Sequence, residues 1–209
     1  MAEVITTAPK SEEAEIELLI IPLGELTSHL GDDEASTAIK AIANFVNRRS
    51  PGDKQMLLVS DADITSKHTD IVALRLPETE EVIDANFITN NVVGYVGAMK
   101  PIKHGARLMS EVGSLKVDDS LRGHGVGTIL FERIIKAMQD EGITPYAFCN
   151  SDSLPIAKRL GGREIESADE VPREALELCQ DCPLYGRTGG KKYRCCDTVV
   201  VWDTPTETN

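Results

Sequence analysis

Gly123, Gly125 and Gly127 fall at alternate positions in the stretch Val117-Asp118-Asp119-Ser120-Leu121-Arg122-Gly123-His124-Gly125-Val126-Gly127-Thr128, and no other feature constrains the chain as much. Residues 114–117 lead into this turn with an apolar strand pattern. Ile129, Leu130, Phe131, Ile134, Ile135 and Met138 follow it at helical spacing. A glycine-rich turn between a strand and a helix lets backbone N–H groups converge at the helix mouth, where the positive end of the helix dipole also points. Such a turn holds a phosphate or pyrophosphate. The blander alternative is a turn that only caps a core helix. It is not a P-loop, because no Gly-Lys-Ser/Thr closes it, and its spacing departs from the Gly-x-Gly-x-x-Gly of dinucleotide folds.

The rest of the chain alternates strand and helix patterns. Residues 17–21 read as a strand. Ala35, Ala38, Ile39, Ile42, Phe45 and Val46 recur at helical spacing behind Asp32 and Asp33 as caps, and this helix should stop near Arg49, before Ser50-Pro51-Gly52. Residues 56–60, 71–76 and 91–99 read as strands, residues 61–90 as an elaborated hairpin, and residues 100–105 as a turn. Arg107–Val117 is the central strand feeding the glycine turn. A helix over 126–141, closed by Gly142, leads to a strand ending at Asn150. A short helix over 153–160 has Pro155 in its first turn, and strands follow at 163–165 and 198–203. This order is an α/β fold, a mixed sheet flanked by helices. Residues 1–14 read as a flexible acidic tail, and residues 15–205 as one domain.

Arg122-x-x-Gly125-x-Gly127 resembles the acyl-CoA pyrophosphate loop of the GNAT N-acetyltransferases, whose pattern is Arg/Gln-x-x-Gly-x-Gly/Ala. Leu115, Lys116 and Val117 match the family strand that runs alongside pantetheine. Asn150 falls at the end of the next strand, and Leu160-Gly161-Gly162 is similar to the Leu-Gly-Phe that ends the family's following helix. The likeness covers residues 109–165. It implies a GNAT-like sheet, and residues 166–197, more than a simple sheet needs, read as a small Cys-rich insertion before the last strand. It also implies acetyl-CoA as cosubstrate and direct acetyl transfer to a primary amine: a lysine, an N-terminus or a small polyamine-like molecule. By the same resemblance Arg122, Gly123, His124, Gly125, Val126, Gly127 and Thr128 hold the pyrophosphate, His124 through its backbone rather than its ring. Leu115, Lys116, Val117 and Asn150 border the pantetheine arm.

Amine acetylation needs a held thioester, a polarised carbonyl and a deprotonated ammonium. Glu111 is the candidate base. It lies six residues before Val117 on one strand, so both side chains should share a face, and some lysine-directed GNAT enzymes carry a glutamate at the matching place. A solvated or salt-bridged strand glutamate is the alternative. The tyrosine that many members use as general acid is missing, since Ala157 occupies its position. Tyr146, Tyr185 or solvent would have to protonate the leaving thiolate. Asn150 can instead cap the helix that follows it, and Cys149 reads as a buried thiol.

The five cysteines and the lack of a secretory signal pattern point to a reducing, cytoplasmic compartment. Cys179 and Cys182 have zinc-knuckle spacing, and Cys195 and Cys196 follow after 12 intervening residues. Four thiolates match a structural zinc site in number, although the second pair is adjacent. A three-cysteine site, a redox pair and plain buried thiols stay open. The net charge of −12 argues against tight general binding to nucleic acid or an anionic membrane. It suits a cationic acceptor, and equally plain solubility. No apolar run reaches membrane-spanning length. A reading from another class keeps the fold and drops the chemistry: an inactive GNAT-like scaffold whose zinc element binds a protein or nucleic acid partner.

Overall fold

The computed structural model describes residues 2–7, 15–48, 58–77, 82–178 and 198–203. In chain order its elements are β1 (Glu3–Thr7), β2 (Ile16–Pro22), α1 (Leu23–Thr27), α2 (Asp32–Asn47), α3 (Asp61–Thr65), β3 (Thr69–Arg75), α4 (Ala85–Asn91) and β4 (Val92–Ala98). Then come β5 (Ile102–His104), β6 (Arg107–Val117), α5 (Val126–Asp140), β7 (Ile143–Cys149), α6 (Leu154–Arg159), β8 (Arg163–Glu164), α7 (Arg173–Leu178) and β9 (Thr198–Val201). This is a mixed α/β fold in which strands form a multi-stranded sheet flanked by helices. The chain divides into two compact units, Met1–Gly97 with Ser114–Leu130, and Ala98–Gly113 with Phe131–Asn209. Among the described residues no helix is long and apolar enough to cross a membrane.

In the first unit the strands lie in the order β1-β2-β3-β4. The helices supply the layer that covers them. Ala38, Ala41, Ile42, Phe45 and Val46 repeat at three- and four-residue intervals along α2 and are all buried. Ala38, Ile42, Phe45 and Val46 pack in one core with Leu19 and Ile21 of β2, Val72 and Leu74 of β3, and Phe87 and Ile88 of α4. Asp32 and Asp33 fill the first turn of α2, where they complement the helix dipole. The cap itself is Gly31, whose N–H donates to Glu34 Oε2 at 3.3 Å.

Three sequence expectations give way in this unit. Residues 3–7, read as part of a flexible tail, form β1, antiparallel to β2 from Glu3↔Ile20 to Thr7↔Ile16. The open edge of β2 offers a full row of backbone partners, and local polarity does not outweigh them. Residues 58–60, expected to end a strand, have no strand structure. The Asn47 side chain takes the backbone of Val59 instead, with Nδ2 donating to its carbonyl at 2.7 Å and Oδ1 accepting from its N–H at 2.9 Å. The supposed hairpin over 61–90 holds two short helices around β3. Ser60 and Asp63 cap the first reciprocally, at 3.1 and 2.7 Å. Asp84 caps the second by accepting from Phe87 N–H at 2.7 Å.

In the second unit β5 and the start of β6 form a hairpin, where a plain turn was expected. β6 pairs in parallel with β7, and β9 lies between β7 and β8, antiparallel to both. Met109, Tyr146, Val171, Ala175, Val199 and Val201 make the core here. Gly162 replaces the bulky residue of the family pattern because there is no room for one. A Cβ there would collide with Val200 and lie 2.8 Å from Trp202 Cε2 and 2.9 Å from the Ala157 carbonyl oxygen. Trp202 fills the space, and Phe131 meets it edge-on at 5.3 Å.

Candidate active site

The glycine turn belongs to the first unit. Asp118 fixes its entry: its N–H donates to the Val93 carbonyl at 2.8 Å, and its Oδ1 accepts from Ser120 N–H at 3.0 Å and Ser120 Oγ at 2.6 Å. A 3-10 turn over Asp119–Leu121 follows. Leu121 and Val126 are both buried and anchor the two ends of the loop. Between them Arg122, Gly123 and Gly125 are exposed. Gly123 and Gly125 adopt φ of 82° and 84°, the left-handed region that an L side chain resists. Arg122 Nε pairs with Asp119 Oδ1 at 2.9 Å.

The consequence is an open helix mouth. Ile129 N–H bonds back to the Gly125 carbonyl at 3.1 Å and closes the first turn of α5. The N–H groups of Val126, Gly127 and Thr128 come earlier, and have no backbone acceptor among the described residues. His124 N–H is taken by the Leu121 carbonyl at 3.3 Å, so it is not one of the free donors. The His124 ring nitrogen Nδ1 is buried with no hydrogen-bond partner among the described residues. Donors left over at the positive end of a helix fit an anion.

Upstream of the loop, Leu115 and Val117 are half-buried, and the Lys116 side chain is buried. Ser114 sits at φ 58°. This interrupts the regular alternation on which the expectation of a shared face for Glu111 and Val117 rested. Strict alternation needs uninterrupted extended backbone, and a left-handed residue between the two positions breaks the two-residue period.

Glu111 lies in the second unit, half-buried on β6. Its carbonyl accepts from Met99 N–H at 2.8 Å. The β6–β7 register runs from Leu108↔Ile143 to Glu111↔Tyr146 and no further. The Asn150 side chain is engaged locally: its Oδ1 accepts from Asp152 N–H at 2.9 Å and Ser153 N–H at 3.0 Å, closing the turn into α6. Ala157 is fully buried and Tyr146 nearly so. Cys149 is a buried thiol, pushed up to about 11 by burial. Cys179, Cys182, Cys195, Cys196 and Tyr185 lie outside the described residues. Among those described, no cluster of three or more His, Cys, Asp or Glu could hold a metal ion.

Residues 57–161, half of the chain, match the Acetyltransferase (GNAT) family. The chain belongs to that family. It is also 27% identical, over 96 residues, to an uncharacterised N-acetyltransferase from Chlorobaculum tepidum. That match takes in 46% of this chain and spans 56% of the relative's length. Arabidopsis thaliana NAA60, solved in complex with acetyl-CoA, is similar in fold, with a TM-score of 0.52 and 11% identity over 88% of this chain and 97% of that one. Rv2747 from Mycobacterium tuberculosis, solved with CoA and NLQ, aligns over 70% of this chain and 78% of its own, at 19% identity and a TM-score of 0.48.

One buried pair of titratable groups in the first unit went unnoticed in the sequence. Tyr95, fully buried on β4, donates its hydroxyl to Asp70 Oδ2 on β3 at 2.8 Å. Burial pushes the Asp70 carboxyl up to about 6, against the pull of the Tyr95 bond and of Lys67. Burial and the neighbouring Asp70 raise the Tyr95 hydroxyl above its ordinary range. Tyr95 lies inside an apolar strand segment and Asp70 at the polar start of another, with no motif around either. A carboxylate whose folded pKa is raised holds its proton more tightly in the native state. Its contribution is therefore most favourable at low pH and is lost as pH rises from near 4 to about 6. Asp70→Asn keeps an acceptor for Tyr95 and removes the buried charge. We expect it to be more stable than the native chain at pH 7.5, by at most about 3 kcal/mol. That advantage should shrink to near zero at pH 4, as read by urea unfolding. Parallel pH dependences for the two proteins would contradict this.

Proposed function

We propose that this chain transfers the acetyl group of acetyl-CoA to a primary amine. The observation that supports this best is the open mouth of α5, where exposed Arg122, Gly123 and Gly125 precede the N–H groups of Val126, Gly127 and Thr128. These donors would hold the pyrophosphate, and the backbone of Leu115 and Val117 would run along the pantetheine arm. Bound acetyl-CoA supplies an activated thioester. Glu111, on the strand that feeds the loop, would take the proton from the acceptor's ammonium, directly or through one water, so that the neutral amine attacks. No hydroxyl stands at Ala157, so the departing thiolate would take its proton from solvent. A thiolate is a good enough leaving group for that route.

Titration of the purified protein with acetyl-CoA in a calorimeter, followed by an amine panel with thiol release as readout, tests this reading. Saturable binding and turnover on at least one amine are expected. Absence of binding overturns the proposal, and binding without turnover over a broad panel returns the chain to the scaffold reading.

A further inference from the structure

Beside the glycine loop, in the same unit, lies a cavity of about 190 Å³. Its walls come from the end of α2 (Arg48), the end of β3 (Arg75), the last turn of α4 with the start of β4 (Thr89, Asn91), and the entry to the loop (Asp118, Ser120). At about 30 Å³ per water it has room for a tetrahedral oxyanion and its solvent.

The side chains around it split into those already satisfied and those left over. Thr89 Oγ1 donates to the Ala85 carbonyl at 2.7 Å and Asn91 Nδ2 to the Phe87 carbonyl at 2.9 Å, so both turn back on their own helix. Asp118 is the one carboxylate among the described residues that line the cavity. Burial pushes it up, but the two bonds from Ser120, then Arg48 and Arg75, outweigh that and hold it below the usual carboxylate range. It is ionised, and its Oδ1 is already taken by Ser120. The two guanidinium groups are less well served. Arg48 reaches Asp118 only at 3.8 Å, with its side chain 62% exposed. Arg75 Nη2 meets a neutral partner, Ser120 Oγ, at 3.2 Å. Arg75 Nε is buried with no hydrogen-bond partner among the described residues. A buried charged donor without an acceptor is rare, and each case calls for an explanation. The end of α4 contributes about half a negative charge and Asp118 a full one, so two guanidinium groups leave the cavity a positive excess. That excess stands out on a chain of net charge −12.

We infer that this cavity binds a phosphate-type oxyanion, with the guanidinium groups of Arg75 and Arg48 as its two arms. The anion has two chemically equivalent sources: the 3′-phosphate of a CoA nucleotide already held at the neighbouring loop, or a separate phosphate group. The first source rests on the function proposed above, and the second does not.

Two measurements on the full chain separate them, each made on the native protein, Arg75→Gln and Arg48→Gln. The second variant guards against a folding failure, because Arg48 is largely exposed. The first measurement is the thermal midpoint with inorganic phosphate against chloride at equal ionic strength. The second is the affinity for CoA against 3′-dephospho-CoA. A phosphate-specific rise in midpoint that both variants lose, with equal affinities for CoA and 3′-dephospho-CoA, assigns a separate phosphate. A preference of about tenfold for CoA that both variants lose assigns the 3′-phosphate. The inference is overturned if the native protein and both variants behave alike in both measurements. Loss of phosphate stabilisation in a protein that binds no CoA would uphold the cavity and overturn the transferase. Unchanged cavity variants in a protein that binds and turns over acetyl-CoA would do the reverse.

Discussion

Glu111→Gln is expected to lower acetyl transfer at neutral pH by about a hundredfold, while the affinity for CoA stays the same. A lysine-type acceptor has a pKa near 10.4, so only about one molecule in a few thousand is the free amine at pH 7. An enzyme with a working base draws on the abundant ammonium form. One without it must wait for the rare free amine to arrive. The rate of the variant should therefore climb by about tenfold per pH unit up to the amine's pKa, while the native profile is flatter. The distinction matters because Glu111 has a second possible use. A carboxylate that only attracts a cationic acceptor would, on conversion to glutamine, raise KM and leave kcat and its pH profile alone. Steady-state kinetics at four or five pH values separates the two roles. Unchanged kcat at every pH removes Glu111 from proton transfer.

The sequence showed most clearly the elements with strong local apolar patterns. Arg107–Val117 has the bounds its pattern implies, α5 ends one residue before its expected last residue, and α2 lies where its apolar stripe places it. Two kinds of structure were harder to read. One depends on a partner distant in sequence. β1 exists because β2 offers it an edge, and residues 58–60 are held by Asn47, so their own apolar character misleads. The other depends on a single backbone angle. Ser114 looks like any strand serine, yet its φ of 58° undoes the facing argument that linked Glu111 to Val117. The helix mouth was legible because glycine spacing and apolar periodicity both report on the local chain. The Asp70–Tyr95 pair and the Arg48–Arg75 cavity were not, because each is assembled from residues 25 or more positions apart. The capping pair Ser60 and Asp63 did carry a local signal, three residues apart ahead of a short helix.

Gly125→Val should abolish most acetyl-CoA binding, and a matched substitution tells backbone strain apart from loss of the site. Gly125 has φ of 84°, and nothing lies within 4 Å of a Cβ built on it. The free protein therefore has room for the side chain, and the cost of making it is the left-handed backbone, about 1–2 kcal/mol. Gly142, two residues past the end of α5, has φ of 73° and the same open surroundings. Valine at either place should lower the urea midpoint by a similar amount. Only at position 125 would the isopropyl group stand over the N–H groups that open α5, where the proposed pyrophosphate sits and where relaxation of the strained turn would also misdirect those donors. Calorimetry should then show a loss in acetyl-CoA affinity of tenfold or more for Gly125→Val, and little change for Gly142→Val. Equal affinities in the two variants would mean that the open helix mouth is not where the diphosphate binds.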